Sequence, residues 1–200
     1  AALDLRLVGE PPGQSGGKLA VAADSIATLW RDHSASRGAR GDAAGALQLV
    51  FCDTSTPSSD GWNAYAELRY LLVDRGLPPD QVRFIHDAAT DDAKAKLFAA
   101  CRDGRVAVLV GSTEKMGVGT NVQDRAVALH HIDCPWRPAD IEQREGRIVR
   151  QGNRHSEVTI LRYVTEGSFD TYMWQTLERK AAFIGQVTSG KVDGREVDDI

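Results

Sequence analysis

Gln143, Arg147 and Arg150 belong to the run Ile141-Glu142-Gln143-Arg144-Glu145-Gly146-Arg147-Ile148-Val149-Arg150-Gln151-Gly152. On a helix at about 100° per residue, these three positions fall within about 60° of one another. One face then presents an amide and two guanidiniums. A guanidinium is planar, stays charged, and clamps phosphate oxygens through two parallel N–H bonds. Set against a γ-phosphate, it stabilises the charge that develops during phosphoryl transfer. Gly146 leaves room on this face for close approach. The plain alternative is a solvated helix in which Glu142 and Glu145 offset Arg144 and Arg147.

Two loops precede this run. Gly111-Ser112-Thr113-Glu114-Lys115-Met116-Gly117-Val118-Gly119-Thr120-Asn121 combines glycines, which let backbone N–H groups approach a phosphate or sugar, with hydroxyl donors at Ser112 and Thr113. A tight strand-to-helix turn accounts for two glycines equally well. Asp133-Cys134-Pro135-Trp136-Arg137-Pro138 leads into the arginine run, and Trp136 is expected to be a packing anchor between strand end and helix, not a stacking platform for bases. Gly13 to Lys18 imitates a phosphate loop and fails. Such a loop needs four residues between its first Gly and the Gly-Lys pair, then Ser or Thr. Here only three intervene, Leu19 follows Lys18, and no apolar strand comes before. No other Gly-Lys pair is followed by Ser or Thr, so a complete phosphate-loop nucleotidase site is absent.

No metal site is expected. His130 and His131 with Asp133 resemble a ligand cluster, but adjacent strand residues point to opposite faces. Cys52, Cys101 and Cys134 form no CxxC pair, which suggests neither a disulfide framework nor zinc and leaves a cytoplasmic setting as the default.

The elements that position these residues follow from periodicity. Residues 1–15 read as an irregular lead-in and 16–37 as a helix. Leu47 to Cys52, Val82 to His86, Val106 to Val110, Ala126 to Ile132 and Val158 to Val164 read as strands. Helices are expected over Trp62 to Arg75, Asp91 to Cys101, Pro138 to Gln151 and Ser168 to Val187, with Gly76 and the Pro78-Pro79 pair ending the first of these. Strands alternating with helices predict an α/β fold, a doubly wound and mainly parallel sheet with helices on both faces in three layers. Ligands of such sheets gather at the carboxyl ends of the strands, where these two loops lie together with a third, Asp53-Thr54-Ser55-Thr56-Pro57, after the first strand. The last helix carries Phe169, Tyr172, Met173, Leu177 and Phe183, enough apolar surface to dock on the lobe or bridge to a following domain. Trp30, Trp62 and Trp174 sit in helix patterns as core or interface residues.

Composition restrains the function. Hydrophobic residues make up 42% and charged residues 26%, the balance of a globular domain. No apolar run approaches the roughly 20 residues of a membrane span. With 24 Lys and Arg against 28 Asp and Glu, the net charge is −4. Phosphate neutralisation carries most nucleic-acid affinity, so any such contact here is local or shared with another domain.

The ordered set of motifs resembles the C-terminal, second RecA-like lobe of superfamily-two helicases, in particular Swi/Snf-type translocases. Those lobes carry Gly-x-Gly-x-Asn, then Asp-x-x-Trp-x-Pro, then Gln-x-x-Gly-Arg-x-x-Arg-x-Gly. Gly117 to Asn121, Asp133 to Pro138 and Gln143 to Gly152 follow the same order. The resemblance spans about residues 15–180, including the entry Ser15 to Lys18. The segments 111–152 and 163–180 are similar to large phage- and plasmid-borne proteins that join a helicase to a DNA adenine methyltransferase, which implies a possible methyltransferase domain in the parent chain.

By that resemblance, Arg147 and Arg150 are arginine fingers and Gln143 opens their motif. Gly117, Gly119 and Asn121 sit beside the ATP ribose and phosphates, while Ser112, Thr113 and Lys115 belong to the nucleic-acid side. Glu114-Lys115-Met116 departs from the basic-then-small pattern of Swi/Snf-type proteins. ATP with Mg²⁺ would be held mainly by an N-terminal RecA-like lobe of the same parent, DNA would be the track, and the isolated domain would be inactive. The domain is expected over 16–166, with 167–200 a C-terminal helix and acidic tail. The competing readings are a non-catalytic RecA-like module for DNA or protein docking, and a lobe of an RNA helicase.

Overall fold

The structure, a computed structural model, describes residues 17–34, 45–57, 61–116, 122–149 and 151–189. Five strands form one sheet: Leu47–Phe51 (β1), Val82–Phe84 (β2), Val108–Gly111 (β3), Ala126–His131 (β4) and Thr159–Arg162 (β5). Their order is β2-β3-β1-β4-β5 and every pairing is parallel. The central strands β3, β1 and β4 are buried along their whole length, as their continuous apolar runs require of strands covered on both faces. β5 lies at an edge and is half exposed.

Side-chain alternation divides the interior into two layers. Val50, Val108 and Val110 point to one face and pack with Lys18–His33 (α1) and Ala64–Asp74 (α2). Leu47, Leu49, Phe51, Leu109 and Leu129 point to the other, against Asp91–Arg102 (α3) and the short turn Thr113–Met116 (α4). Pro138–Glu145 (α5) and Phe169–Ser189 (α6) complete that second layer, with Arg144 over Phe51 and Trp174 edge-on to His131. The expected three-layer α/β fold is the observed one.

Local chemistry sets the helix ends. Asn63 and Thr90 accept the backbone N–H of Ala66 and Ala93, each side chain worth about 1 kcal/mol as an N-cap. Gly76, at φ +96°, ends α2 with Leu77 N–H bonded back to Leu72, a left-handed turn that glycine adopts without strain. Several elements are shorter than periodicity predicts, and for β2 and α5 the reason is visible. β2 stops at Phe84 because the chain enters a tight turn at Ile85–Asp87. α5 stops at Glu145, not Gln151, because Arg147 and Ile148 bond three residues back and the chain tightens to bury Ile148.

One buried polar chain ties α1 to the sheet. Gln48 Nε2 donates to the Ile26 carbonyl at 3.0 Å, and Gln48 Oε1 lies 3.0 Å from His130 Nε2. An amide oxygen only accepts, so His130 Nε2 carries the proton and Nδ1 accepts from Tyr163, 2.8 Å away. Burial holds His130 neutral, its pKa pushed down to about 3. An imidazole with a depressed pKa takes up its proton more readily when unfolded, so its contribution is complete above pH ~6.5 and is lost as pH falls towards 3. Urea unfolding followed from pH 7 to pH 4 is therefore expected to show falling stability, with a smaller loss per pH unit in His130→Gln.

Candidate functional site

After β1 the chain runs towards β2 at one edge, and after β3 it crosses to β4 on the other side of β1. The loops following β1 and β3 therefore diverge, leaving a crevice at the carboxyl ends of adjacent strands. Asp53 stands on one side of it and Ser112-Thr113 on the other. Both sides are joined by one residue of α5.

Arg144 is fully buried, and each of its five N–H groups has a partner. Nε donates to Thr113 Oγ1 at 2.7 Å; Nη1 donates to the Asp133 carbonyl at 3.0 Å and lies 3.2 Å from His131 Nδ1. Nη2 donates to Asp53 Oδ2 at 2.8 Å and to Asp133 Oδ1 at 3.2 Å. The carboxylates are satisfied in turn. Asp53 also accepts the Thr113 backbone N–H at 2.6 Å and its hydroxyl at 2.8 Å, while Asp133 Oδ2 accepts the N–H groups of Asp53 and Thr54, both at 2.7 Å. The loops after β1, β3 and β4 are thus bonded to one another and to α5. Facing a guanidinium, His131 Nδ1 must accept; burial and Arg144 both hold its pKa below the ordinary value. Beside the same carboxylates, burial pushes the Cys52 thiol up, which makes it an inert core group.

Over this network lies an open cleft of about 860 Å³. Ser112, Thr113, Lys115 and Gln143 all line it, together with Trp136, Arg137 and His86. The three expected nucleic-acid residues and the residue that opens the arginine run therefore line one cleft. Thr113 is nearly buried, and its hydroxyl proton is given to Asp53. Ser112 Oγ accepts the Lys115 N–H at 3.3 Å. Arg137 is held by Asp140 through two bonds, at 2.9 and 3.2 Å.

Trp136 corrects an expectation. It is 77% exposed and forms part of the cleft rim, so it does not anchor packing. Pro135 and Pro138 flank Trp136-Arg137 and fix φ on either side of the pair.

Arg147 is half-buried and is not among the residues lining the cleft. Gly146 supplies tightness rather than open space: a Cβ there would stand 2.8 Å from the Glu142 carbonyl oxygen. Arg150, Gly117, Gly119 and Asn121 lie outside the described residues, as does the segment before Gly17. Arg144, Asp53 and Asp133 escaped sequence reasoning as a group, although the alternating charges of 142–147 pointed only to a solvated face. Among the described residues, no cluster of three or more His, Cys, Asp or Glu side chains could hold a metal ion; His130 and His131 diverge to opposite faces of the sheet.

A second set of charges docks α6. Lys18, the lysine of the failed phosphate loop, is buried in an ion pair with Asp170, which also accepts the Thr165 N–H at 3.2 Å. Arg162 lies 4.7 Å over the Trp174 ring and bonds Glu145 and Glu178 at 3.1 and 2.9 Å. Trp174 and Leu177 are buried, while Phe183, Ile184 and Val187 further along the helix are exposed. Truncating Arg144 to Ala would leave Asp53 and Asp133 without their counter-charge. Urea denaturation is expected to show a loss of about 3–5 kcal/mol, and a second substitution, Asp53→Asn, to recover part of it.

Comparison with known proteins agrees with this architecture. The helicase conserved C-terminal domain family matches residues 43–152. "Defense against restriction protein B" of Escherichia phage P1 is 37% identical over 92 residues, which is 46% of this chain and 4% of that protein. The mouse "DNA annealing helicase and endonuclease ZRANB3" is 30% identical over 132 residues, covering 64% of this chain and 10% of the relative. "DNA repair protein RAD5" of Candida albicans is 36% identical over 78 residues, covering 39% and 7%. The chain thus spans a tenth or less of the length of these relatives. Among solved structures, the C-terminal part of the Fun30 ATPase domain superposes with a TM-score of 0.61 at 17% identity, covering 86% of this chain and 49% of that one. The E. coli DEAD-box protein SrmB superposes at 0.55 and 17%, covering 82% and 78%, a likeness of fold. With a parallel five-stranded sheet, a cleft at the carboxyl ends of its strands and a family match across more than half its length, the chain belongs to the helicase conserved C-terminal domain family.

Proposed function

We propose that this domain is the second lobe of an ATP-driven DNA helicase or translocase. An N-terminal RecA-like lobe of the parent protein would hold ATP and Mg²⁺. Arg147 and Arg150 would act as its arginine fingers. Gly117, Gly119 and Asn121 would line the nucleotide side, and Ser112, Thr113 and Lys115 would belong to the track. The observation that carries this reading is the shared cleft, which Gln143 lines together with Ser112, Thr113 and Lys115. DNA is favoured over RNA because the mouse and Candida relatives are named for DNA annealing and DNA repair.

The chemistry of the cleft suits a sugar-phosphate backbone. Lys115 and Arg137 supply positive charge, Ser112 a hydroxyl, and the exposed Trp136 indole a flat apolar surface at the rim. Phosphate contacts hold a strand in register without reading its sequence. The overall charge of −4 makes this contact local, shared with the rest of the parent. Closure of the two lobes would bring the arginines onto the γ-phosphate, and hydrolysis would release them.

The phage relative, named for defence against restriction, supports a phage- or plasmid-borne parent. The phage, mouse and Candida relatives are not named for a methyltransferase, so a methyltransferase domain in the parent rests on motif resemblance alone. Among the described residues, no helix is long and apolar enough to cross a membrane.

In the two-lobe parent, Arg147→Ala is expected to lower DNA-stimulated ATP turnover at least about tenfold, the low end of an arginine finger's worth. Unchanged turnover sinks the assignment and favours a docking module. The 200-residue chain by itself is expected to hydrolyse ATP negligibly, and motor-like rates from it would overturn the two-lobe account. Lys115→Ala is expected to reduce the slope of log affinity against log salt by about 1. A slope unchanged from the wild type removes Lys115 from the track.

A further inference from the structure

Arg144 stands between the two sides of the proposed motor and has no contact of its own with solvent. Towards the cleft, it bonds the Thr113 hydroxyl and the Asp53 carboxylate, and both residues line the cleft with Ser112 and Lys115. Towards the arginine run, its backbone carbonyl accepts the Arg147 N–H at 3.1 Å. The turn between them is stiff. Gly146 N–H bonds the Glu142 carbonyl at 2.8 Å, and Ile148 and Val149 N–H both bond Glu145 at 3.0 Å. A movement of the guanidinium is therefore passed to Arg147 with little slack.

We propose that Arg144 is a positioning residue that transmits occupancy of the cleft to the arginine segment, so that nucleic acid sets the placement of Arg147. The inference rests on the motor reading given above. A phosphate drawn against Ser112 or Lys115 displaces the α4 turn, and Thr113 takes the Arg144 fork with it. Stability alone does not call for this residue: well-packed apolar side chains commonly replace a buried ion pair at little cost. What the fork adds is geometry. Five N–H bonds reaching Asp53, Thr113, His131 and Asp133 hold three loops in one arrangement, and that set forms or breaks as a unit. Lysine keeps the charge, but its three donors radiate from one nitrogen and cannot span the same partners.

The test compares wild type and Arg144→Lys in the two-lobe parent. Duplex DNA is added without nucleotide, amide hydrogen exchange is read over residues 112–116 and 139–149, and ATP turnover is measured with and without DNA. In wild type, DNA is expected to alter exchange in both segments. In Arg144→Lys, the response at 112–116 is expected to persist and that at 139–149 to disappear. The ratio of stimulated to basal turnover should fall about tenfold, the size of a typical coupling between sites. Basal and stimulated rates falling by the same factor would show a role in stability alone and overturn the proposal. So would a surviving response at 139–149, or loss of the response at 112–116, which would make Arg144 part of the binding wall. Should Arg144→Lys fail to fold, Asp53→Asn weakens one arm of the same network, keeps its shape, and is judged by the same outcomes. A wild-type parent without DNA-stimulated turnover would remove the motor reading itself, a result distinct from any difference between wild type and variant.

Discussion

A guanidinium enclosed by protein must find acceptors for five N–H groups or lose the hydration it gave up, and around Arg144 this requirement dictates the arrangement of the neighbouring chain. Asp53 and Asp133 must stand at the ends of β1 and β4, and Thr113 must begin α4 with its hydroxyl turned inwards. Each of the two carboxylates is in turn held by backbone N–H groups from a neighbouring loop. Three strand-end loops are thereby bonded into one connected set. The cleft above owes its shape to a charge that never reaches it.

The same constraint explains why α5 is short. Arg144 must point at the sheet, Ile148 must enter the second layer of the core, and the exposed Val149 must not. In a regular helix positions 143 and 147 would share one face, just as 144 and 148 would. The tightened turn at Gly146 leaves Arg144 and Ile148 both buried but takes Arg147 out of the lining of the cleft that Gln143 lines. Neighbouring polar residues of one short run thus come to serve different surfaces.

Much of this was legible in the sequence, because burial on two faces writes itself as continuous apolar strands and burial on one face as helical periodicity. The five strands, the three layers and the strand-end loops that carry the site followed from that pattern. The Arg144 network did not. Its members are 91 residues apart along the chain at the widest, and an arginine flanked by Glu142 and Glu145 looks like any solvated arginine. Only sheet order brings Asp53, Thr113 and Asp133 to one point. Trp136 misled for a related reason: a tryptophan between a strand and a helix ordinarily packs, and nothing local announces that this one faces outwards.

The pairing of Lys18 with Asp170 joins the first helix of the fold to the last, across 152 positions of chain. Contacts so remote in sequence are costly to close and form late. During synthesis, α1, the sheet and α5 can all assemble while Lys18 still lacks its counter-charge. Asp170 emerges only after β5 and supplies that counter-charge. The lobe is thus sealed from its C-terminal side, and completion of α6 marks the moment at which its first helix becomes fully native.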